Sequence, residues 1–277
     1  MMPLDRVNLN TLSGRVVCQL ALGDFQRQYL YDLTWKIGGA ELIRRGAVWY
    51  LCVTQSKRLP GPDEPLGVLG VDLGIVTIAT DSDGETFSGA QIEKVRERYH
   101  MRRQRLQAVG TKNSRRRLRT NSGRERRFQK NVNHTISKRL VAKAADTCKA
   151  LALEELTGIR ERAPVRHGQR RRHSNWAFRQ LRASISYKAA LAGVQVILVD
   201  PRNTSRTCSA CGYCDKRNRT TQSHFQCLSC GFVAVADVNA AVNIADRATV
   251  NWPLASDHTR FAQRASGYPV QMQAASL

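Results

Sequence analysis

Hydrophobic and polar residues change their spacing several times along the chain, and each change predicts an element. Up to about residue 66, short apolar runs alternate with polar breaks, as in "GRVVCQLAL", "YLYDLTWKI", "AELIRRG" and "AVWYLCVTQ". Their β-branched and aromatic content predicts strands and one short helix, arranged as a small β-barrel or sheet. "KRLPGPDEPLG", with three prolines and two glycines, breaks the pattern and marks a domain boundary. The run "VLGVDLGI" that follows is apolar without alternation, which predicts a buried strand. The "DSDGE" turn after it predicts a hairpin.

From residue 92 to 149 the period lengthens to that of helices. Phe128, Val132, Ile136, Leu140, Ala144 and Cys148 recur every fourth residue, one apolar stripe on one helix. A break at Gly110 or at Gly123 separates this helix from an earlier one, giving an antiparallel pair. Beyond it "CKALALEELTG" reads as a strand and "RERAPVRHGQRRRHSNW" as a basic loop. Residues 176–192 read as a helix with Trp176 as a core anchor. "GVQVILVDP" is a buried strand stopped by Pro201, and residues 237–247 form an Ala-rich helix. The sequence from Thr249 onward carries no clear period and is expected to be flexible. Strands and helices in this order predict an α/β fold, compatible with an RNase H-like mixed sheet.

Charge adds a partner to this picture. The 277 residues include 44 Lys and Arg against 22 Asp and Glu, a formal net charge of +22. Such a surface attracts polyanions, above all nucleic acid. The excess concentrates on the helical pair, at Arg102, Arg103, Arg105, Arg115, Arg116, Arg117, Arg124, Arg126, Arg127 and Lys130, with Lys138 and Lys143 beyond. Charge of nearly one sign points to phosphate contact rather than to a merely solvated face. Arg170, Arg171 and Arg172 in the basic loop, Arg179 on the next helix and Arg206 join them as candidate contacts. No run approaches the ~20 apolar residues of a membrane span, and the first residues lack the apolar core of a signal peptide. A soluble, cytoplasmic protein with no membrane partner is expected.

Eight cysteines are present, five of them between Cys208 and Cys230. Cys208, Cys211, Cys227 and Cys230 form two Cys-x-x-Cys pairs with fifteen residues between them. Two tight turns, each supplying two thiolates, close a tetrahedron around one zinc ion. Four protein ligands leave no position for water, so this zinc is structural. Cys214 lies the same distance beyond Cys211, and His224 is a further substitute ligand. The glycines after Cys211 and Cys230 mirror each other and favour the first assignment. Cys18, Cys52 and Cys148 sit in apolar company and read as buried thiols.

Three carboxylates stand out by position. Asp72 lies inside an apolar run, where a charge is costly unless compensated. Glu154 ends the strand "ALALEEL", with Glu155 as its solvated neighbour. Asp237 begins the last helix, where an N-cap is the plainer role. Together they fit a strand-borne Asp, a strand-end Glu and a helix-start Asp converging on divalent metal, for which carboxylate oxygens suit magnesium. Two such ions suffice for phosphodiester hydrolysis. A zinc-ribbon RNA-binding assembly factor fits the charge and the cysteines but leaves Asp72 unexplained.

"GVDLGI", "LALEELTGIR", "NWAFRQLRASISYKAALAGVQVILVDPRNTSRTCSACG" and "CGFVAVADVNAAVNIA" together resemble the TnpB proteins of insertion sequences, relatives of type V CRISPR effectors. The likeness spans about residues 67–247. It implies an RNA-guided DNA endonuclease with a RuvC-like domain in which Asp72, Glu154 and Asp237 hold two Mg2+ ions. It also implies a zinc-ribbon target-nucleic-acid-binding insertion built on one Zn2+, and guide RNA and target DNA as partners. The implied division is a wedge-like β-barrel over 1–66 and a RuvC-like domain over 67–203, including the basic helices at about 92–149. The ribbon follows over 204–235, then the final RuvC-like helix over 236–248 and a tail over 249–277. TnpB proteins usually carry a helical recognition lobe in a longer N-terminal region. With about 66 residues ahead of the RuvC-like part, a second copy or another protein is expected in its place. The competing expectation is an RNA-guided DNA-binding repressor that does not cut.

Overall fold

A computed structural model describes residues 5–59, 61–62, 64–155 and 178–250. The chain divides into two compact units, with the division between residues 59 and 60.

In the first unit, strand β1 (Arg6–Thr11) pairs with β2 (Gly14–Gln19), and β3 (Lys36–Arg45) pairs with β4 (Val48–Ser56), both antiparallel. Helix α1 (Asp24–Leu30) lies between the hairpins in sequence. "YLYDLTWKI", one of the runs expected to supply strands and one short helix, ends this helix, turns, and enters β3 at Lys36. The reason is aromatic: Phe25, Tyr29 and Trp35 stack in sequence, with centroids 5.0 and 5.6 Å apart. The four strands form two separate two-stranded sheets. Among the described residues, the expected barrel is therefore not closed.

The second unit is α/β. Its five-stranded sheet runs in the order β7–β6–β5–β8–β9. Strands β5 (Gly67–Asp72), β6 (Thr77–Asp81) and β7 (Thr86–Ser88) are antiparallel neighbours, whereas β8 (Lys149–Glu154) and β9 (Val196–Val199) run parallel to β5. Both faces of β5 and β8 are covered, which is why their sequences are apolar without alternation. On one face Leu69, Val71, Leu151 and Leu153 pack with Ile136, Leu140 and Ala144 of α3 (Lys112–Asp146) and with Leu181, Ile185 and Ala189 of α4 (Phe178–Leu191). On the other face Val68, Ala150, Ala152, Ile197 and Val199 meet Ile244 and Ala248 of α5 (Ala236–Val250).

Helix α5 lies unusually close to the sheet, and Gly70 makes this possible. A Cβ on Gly70 would stand 2.0 Å from the Ala241 carbonyl oxygen and 2.6 Å from the Ala245 nitrogen. Only glycine tolerates that approach.

The basic pair consists of α2 (Ala90–Val109) and α3, separated at Gly110 and Thr111, with the Thr111 hydroxyl accepting from the Ser114 N–H. Gly123 does not break the helix: a single glycine costs about 1 kcal/mol there, less than the tertiary packing of the rest of α3 returns. The apolar stripe ends before Cys148, which is exposed and takes a left-handed φ of 51° as the chain leaves α3 for β8. No helix among the described residues is long and apolar enough to cross a membrane.

Candidate active site

Parallel pairing places the first two acids. Val71 is in register with Leu153 at the ends of β5 and β8, so Asp72 and Glu154 are the next residues on adjacent strands. Alternation turns both toward the α5 face. Glu155 turns the other way, where Arg182 of α4 holds its carboxylate at 2.5 Å. Strand β10 (His224–Gln226) pairs with β11 (Val233–Val235), which leads directly into α5, placing Asp237 in its first turn, inside the helix rather than at its cap. The positive end of the helix dipole favours carboxylates there.

Burial and mutual repulsion shape this cluster. The Asp72 carboxyl is pushed up to about 7, first by burial and then by the charges of Glu154 and Asp237, with Arg219 and the Leu73 N–H acting in opposition. Glu154 is also raised by burial, while the hydroxyl of Thr204 and the charge of Arg247 pull it back. Thr204 Oγ1 donates to Glu154 Oε1 at 2.5 Å. Arg219 Nη2 donates to Asp237 Oδ1 at 2.8 Å and to the Gln222 carbonyl at 2.7 Å. Neither Thr204 nor Arg219 was marked by the sequence, because each reaches an acid far away along the chain with no local period to signal it.

The four cysteines come together. Their Sγ atoms all lie within 4.8 Å of one another, with Cys208–Cys230 at 3.7 Å and Cys211–Cys227 at 3.6 Å. A tetrahedral zinc with Zn–S bonds of about 2.3 Å requires sulfurs about 3.8 Å apart, so the donor set fits zinc. The two turns repeat each other. Gly212 N–H donates to Cys208 O and Gly231 N–H to Cys227 O, with φ of 75° and 72°, values that glycine adopts without strain. Cys214 and His224 stand outside this group. Among the described residues no other set of histidines, cysteines or carboxylates closes to the same reach. The three acids are thus neighbours whose oxygens remain apart, with Asp237 engaged by Arg219. Cys211→Ser is expected to remove the bound zinc and several kcal/mol of stability, and Cys214→Ser neither; atomic absorption and thermal melts check both.

The basic candidates separate by environment. Arg102, Arg105, Arg115, Arg116, Arg117, Arg124, Arg126, Arg127, Lys130, Arg179 and Arg206 are exposed. Arg103 is half-buried and paired with Glu125 across the α2–α3 hairpin. Lys143 turns inward to Asp81 at 2.5 Å, with Asp83 and Glu85 beyond. Arg170, Arg171, Arg172 and Trp176 lie outside the described residues.

The last helix and the root of the cysteine knuckle are sewn together. Asn239 Nδ2 donates to Thr207 O at 2.8 Å and its Oδ1 accepts from Ser209 N–H at 3.0 Å. Asn243 Nδ2 donates to Thr204 O at 2.8 Å and to Thr207 O at 2.7 Å.

Two stretches of the chain match known protein families. Residues 50–158 match the OrfB_IS605 family, described as "Probable transposase", and residues 178–244 match the Cas12f1-like TNB domain. The first match spans Asp72 and Glu154; the second spans the four cysteines and Asp237. The fold is shared with the solved Cas12f1–sgRNA–target DNA complex, at a TM-score of 0.54 and 20% identity over 75% of this chain and 55% of that one. The CRISPR-associated endodeoxyribonuclease Cas12f1 of Sulfoacidibacillus thermotolerans is 33% identical over 202 residues, 64% of this chain but 45% of the relative. A TnpB-like protein of Methanocaldococcus jannaschii is 27% identical over 258 residues, 87% of this chain and 90% of the relative. The chain thus spans less than half of that Cas12f1 and nearly all of that TnpB-like protein. Its sequence is thus similar to TnpB-like proteins over most of their length and to Cas12f proteins over part of theirs.

Proposed function

We propose that this protein is an RNA-guided DNA endonuclease whose second unit is a RuvC-like, RNase H-like nuclease domain and whose cysteine knuckle is a zinc ribbon that contacts target DNA. One observation carries the reading: the Val71–Leu153 register sets Asp72 and Glu154 side by side at the ends of β5 and β8, on the face covered by α5, whose first turn carries Asp237. Half-buried carboxylates gathered at one end of a sheet mark a candidate functional site. Asp72, Glu154 and Asp237 would hold two magnesium ions, which when bound activate water and stabilise the leaving oxygen in phosphodiester hydrolysis. Thr204 and the Val71–Leu153 register hold Glu154 and Asp72 side by side, while Arg219 neutralises Asp237. Exposed arginines of α2 and α3 grip the phosphates of a guide–target duplex, and base pairing supplies sequence choice. The first unit serves as the wedge-like part, and a second copy or another protein is a further partner.

A second reading, guided DNA binding without cutting, is favoured by the Arg219–Asp237 bond, which engages one acid with a protein cation. Purification with bound RNA, followed by incubation with matched DNA and magnesium, separates the two. Cleavage by the wild type and none by Asp72→Ala is expected. Tight matched binding by both with cleavage by neither would establish the second reading instead.

A further inference from the structure

Thr204 sits between the two halves of the site. It is 3% exposed and lies in the turn between β9 and the first cysteine pair. Its Oγ1 lies 2.5 Å from Glu154 Oε1, its shorter contact, and 3.1 Å from Pro201 O. Satisfying a buried hydroxyl needs only one partner, and the Pro201 carbonyl alone would serve. Yet the shorter bond goes to the carboxylate. The backbone of the same residue is gripped from the other side, its carbonyl accepting from Asn243 of α5. Asn239, one turn earlier, holds the same segment through Thr207 and Ser209. A continuous path therefore runs from the end of β8, through Thr204, to the helix that carries Asp237.

Resting on the nuclease reading above, we propose that Thr204 is the positioning residue for Glu154, tying its carboxylate to the segment that α5 holds so that Glu154 meets divalent metal in one fixed orientation. Without it, Glu154 is tethered only by its own strand, and its side chain has three rotatable bonds to settle. Among the described residues Glu154 Oε2 accepts no hydrogen bond, so holding Oε1 leaves one oxygen free for a cation. Hydrogen bonds to a metal-binding carboxylate of this kind set its orientation, and losing one costs metal affinity.

The test uses the full chain stripped of RNA and titrated with Mn2+, with free ion read by electron paramagnetic resonance. Glu154→Gln marks which binding belongs to the carboxylates. Thr204→Val is expected to weaken that binding by about ten- to a hundredfold, whereas Thr204→Ser, which keeps the hydroxyl, stays within about twofold of wild type. Zinc content by atomic absorption should be unchanged in both. Should the bulk of valine eject the zinc, Thr204→Ala carries the same comparison. Wild-type affinity in Thr204→Val, or equal weakening in Thr204→Ser, overturns the positioning role and leaves the nuclease reading intact. A wild type indistinguishable from Glu154→Gln removes the carboxylate metal site itself, and the positioning role with it.

Discussion

Asp72→Asn is expected to abolish cleavage and, at the same time, to stabilise the magnesium-free protein above neutral pH. In the unfolded chain this carboxyl ionises near 3.8; in the fold it keeps its proton up to about 7. Between those values the folded form binds more protons than the unfolded form, so wild-type stability falls as pH rises from about 4 to 7 and stays low above that. At about 1.4 kcal/mol per unit, the cost is on the order of 2–4 kcal/mol. Asparagine has no such charge and escapes the loss. Thermal melts at pH 5 and pH 8, with zinc retained, should show the variant gaining several degrees on wild type at the higher pH alone. Magnesium should then raise the wild-type melting temperature and leave the variant unmoved. Cleavage should drop on the order of a thousandfold. Equal melting temperatures at pH 8 would falsify the claim that burial, aided by the neighbouring acids, raises the Asp72 carboxyl in the folded protein.

Gly70→Ala should be nearly as damaging without touching a functional group. The new methyl meets backbone atoms of Ala241 and Ala245, and backbone cannot swing aside as a side chain can. Helix α5 must lift off the sheet. Overpacking of this kind costs about 1–3 kcal/mol or more, and it carries Asp237 away from Asp72 and Glu154. A displacement of about 1 Å can cost about a hundredfold in rate. Gly67→Ala is the matched control on the same strand, pointing to its other face: its methyl would meet only Lys149 Cγ at 3.9 Å. Loss of cleavage and of melting temperature at residue 70, with neither at residue 67, is the expected pattern.

The parts of the fold legible in sequence are those whose signal is local. The unbroken apolar run before Asp72 announced a strand covered on both faces, and the paired cysteines with their mirrored glycines announced the knuckle. Patterns that compete locally were harder to read. Gly123 has the look of a helix stop, but packing on both sides carries α3 through it. "YLYDLTWKI" has strand composition, but Tyr29 and Trp35 stack across a turn. Lys143 shares its period with the basic face, yet the acidic β6–β7 turn captures it. What no local pattern can report is a side chain that answers to a distant one. Thr204 on Glu154 and Arg219 on Asp237 became visible only when the sheet brought their segments together.

The late position of α5 in the chain bears on how the protein is made. This helix carries the third acid and covers the face on which the other two lie. A nascent polypeptide that has already emerged from the ribosome with Asp72 and Glu154 still lacks the residue that completes the set. On the nuclease reading proposed above, hydrolytic competence would arrive only after the cysteine segment has been translated and α5 has docked. Synthesis would then yield an inert intermediate first, and a truncated translation product that stops short of α5 would stay harmless to the genome that encodes it.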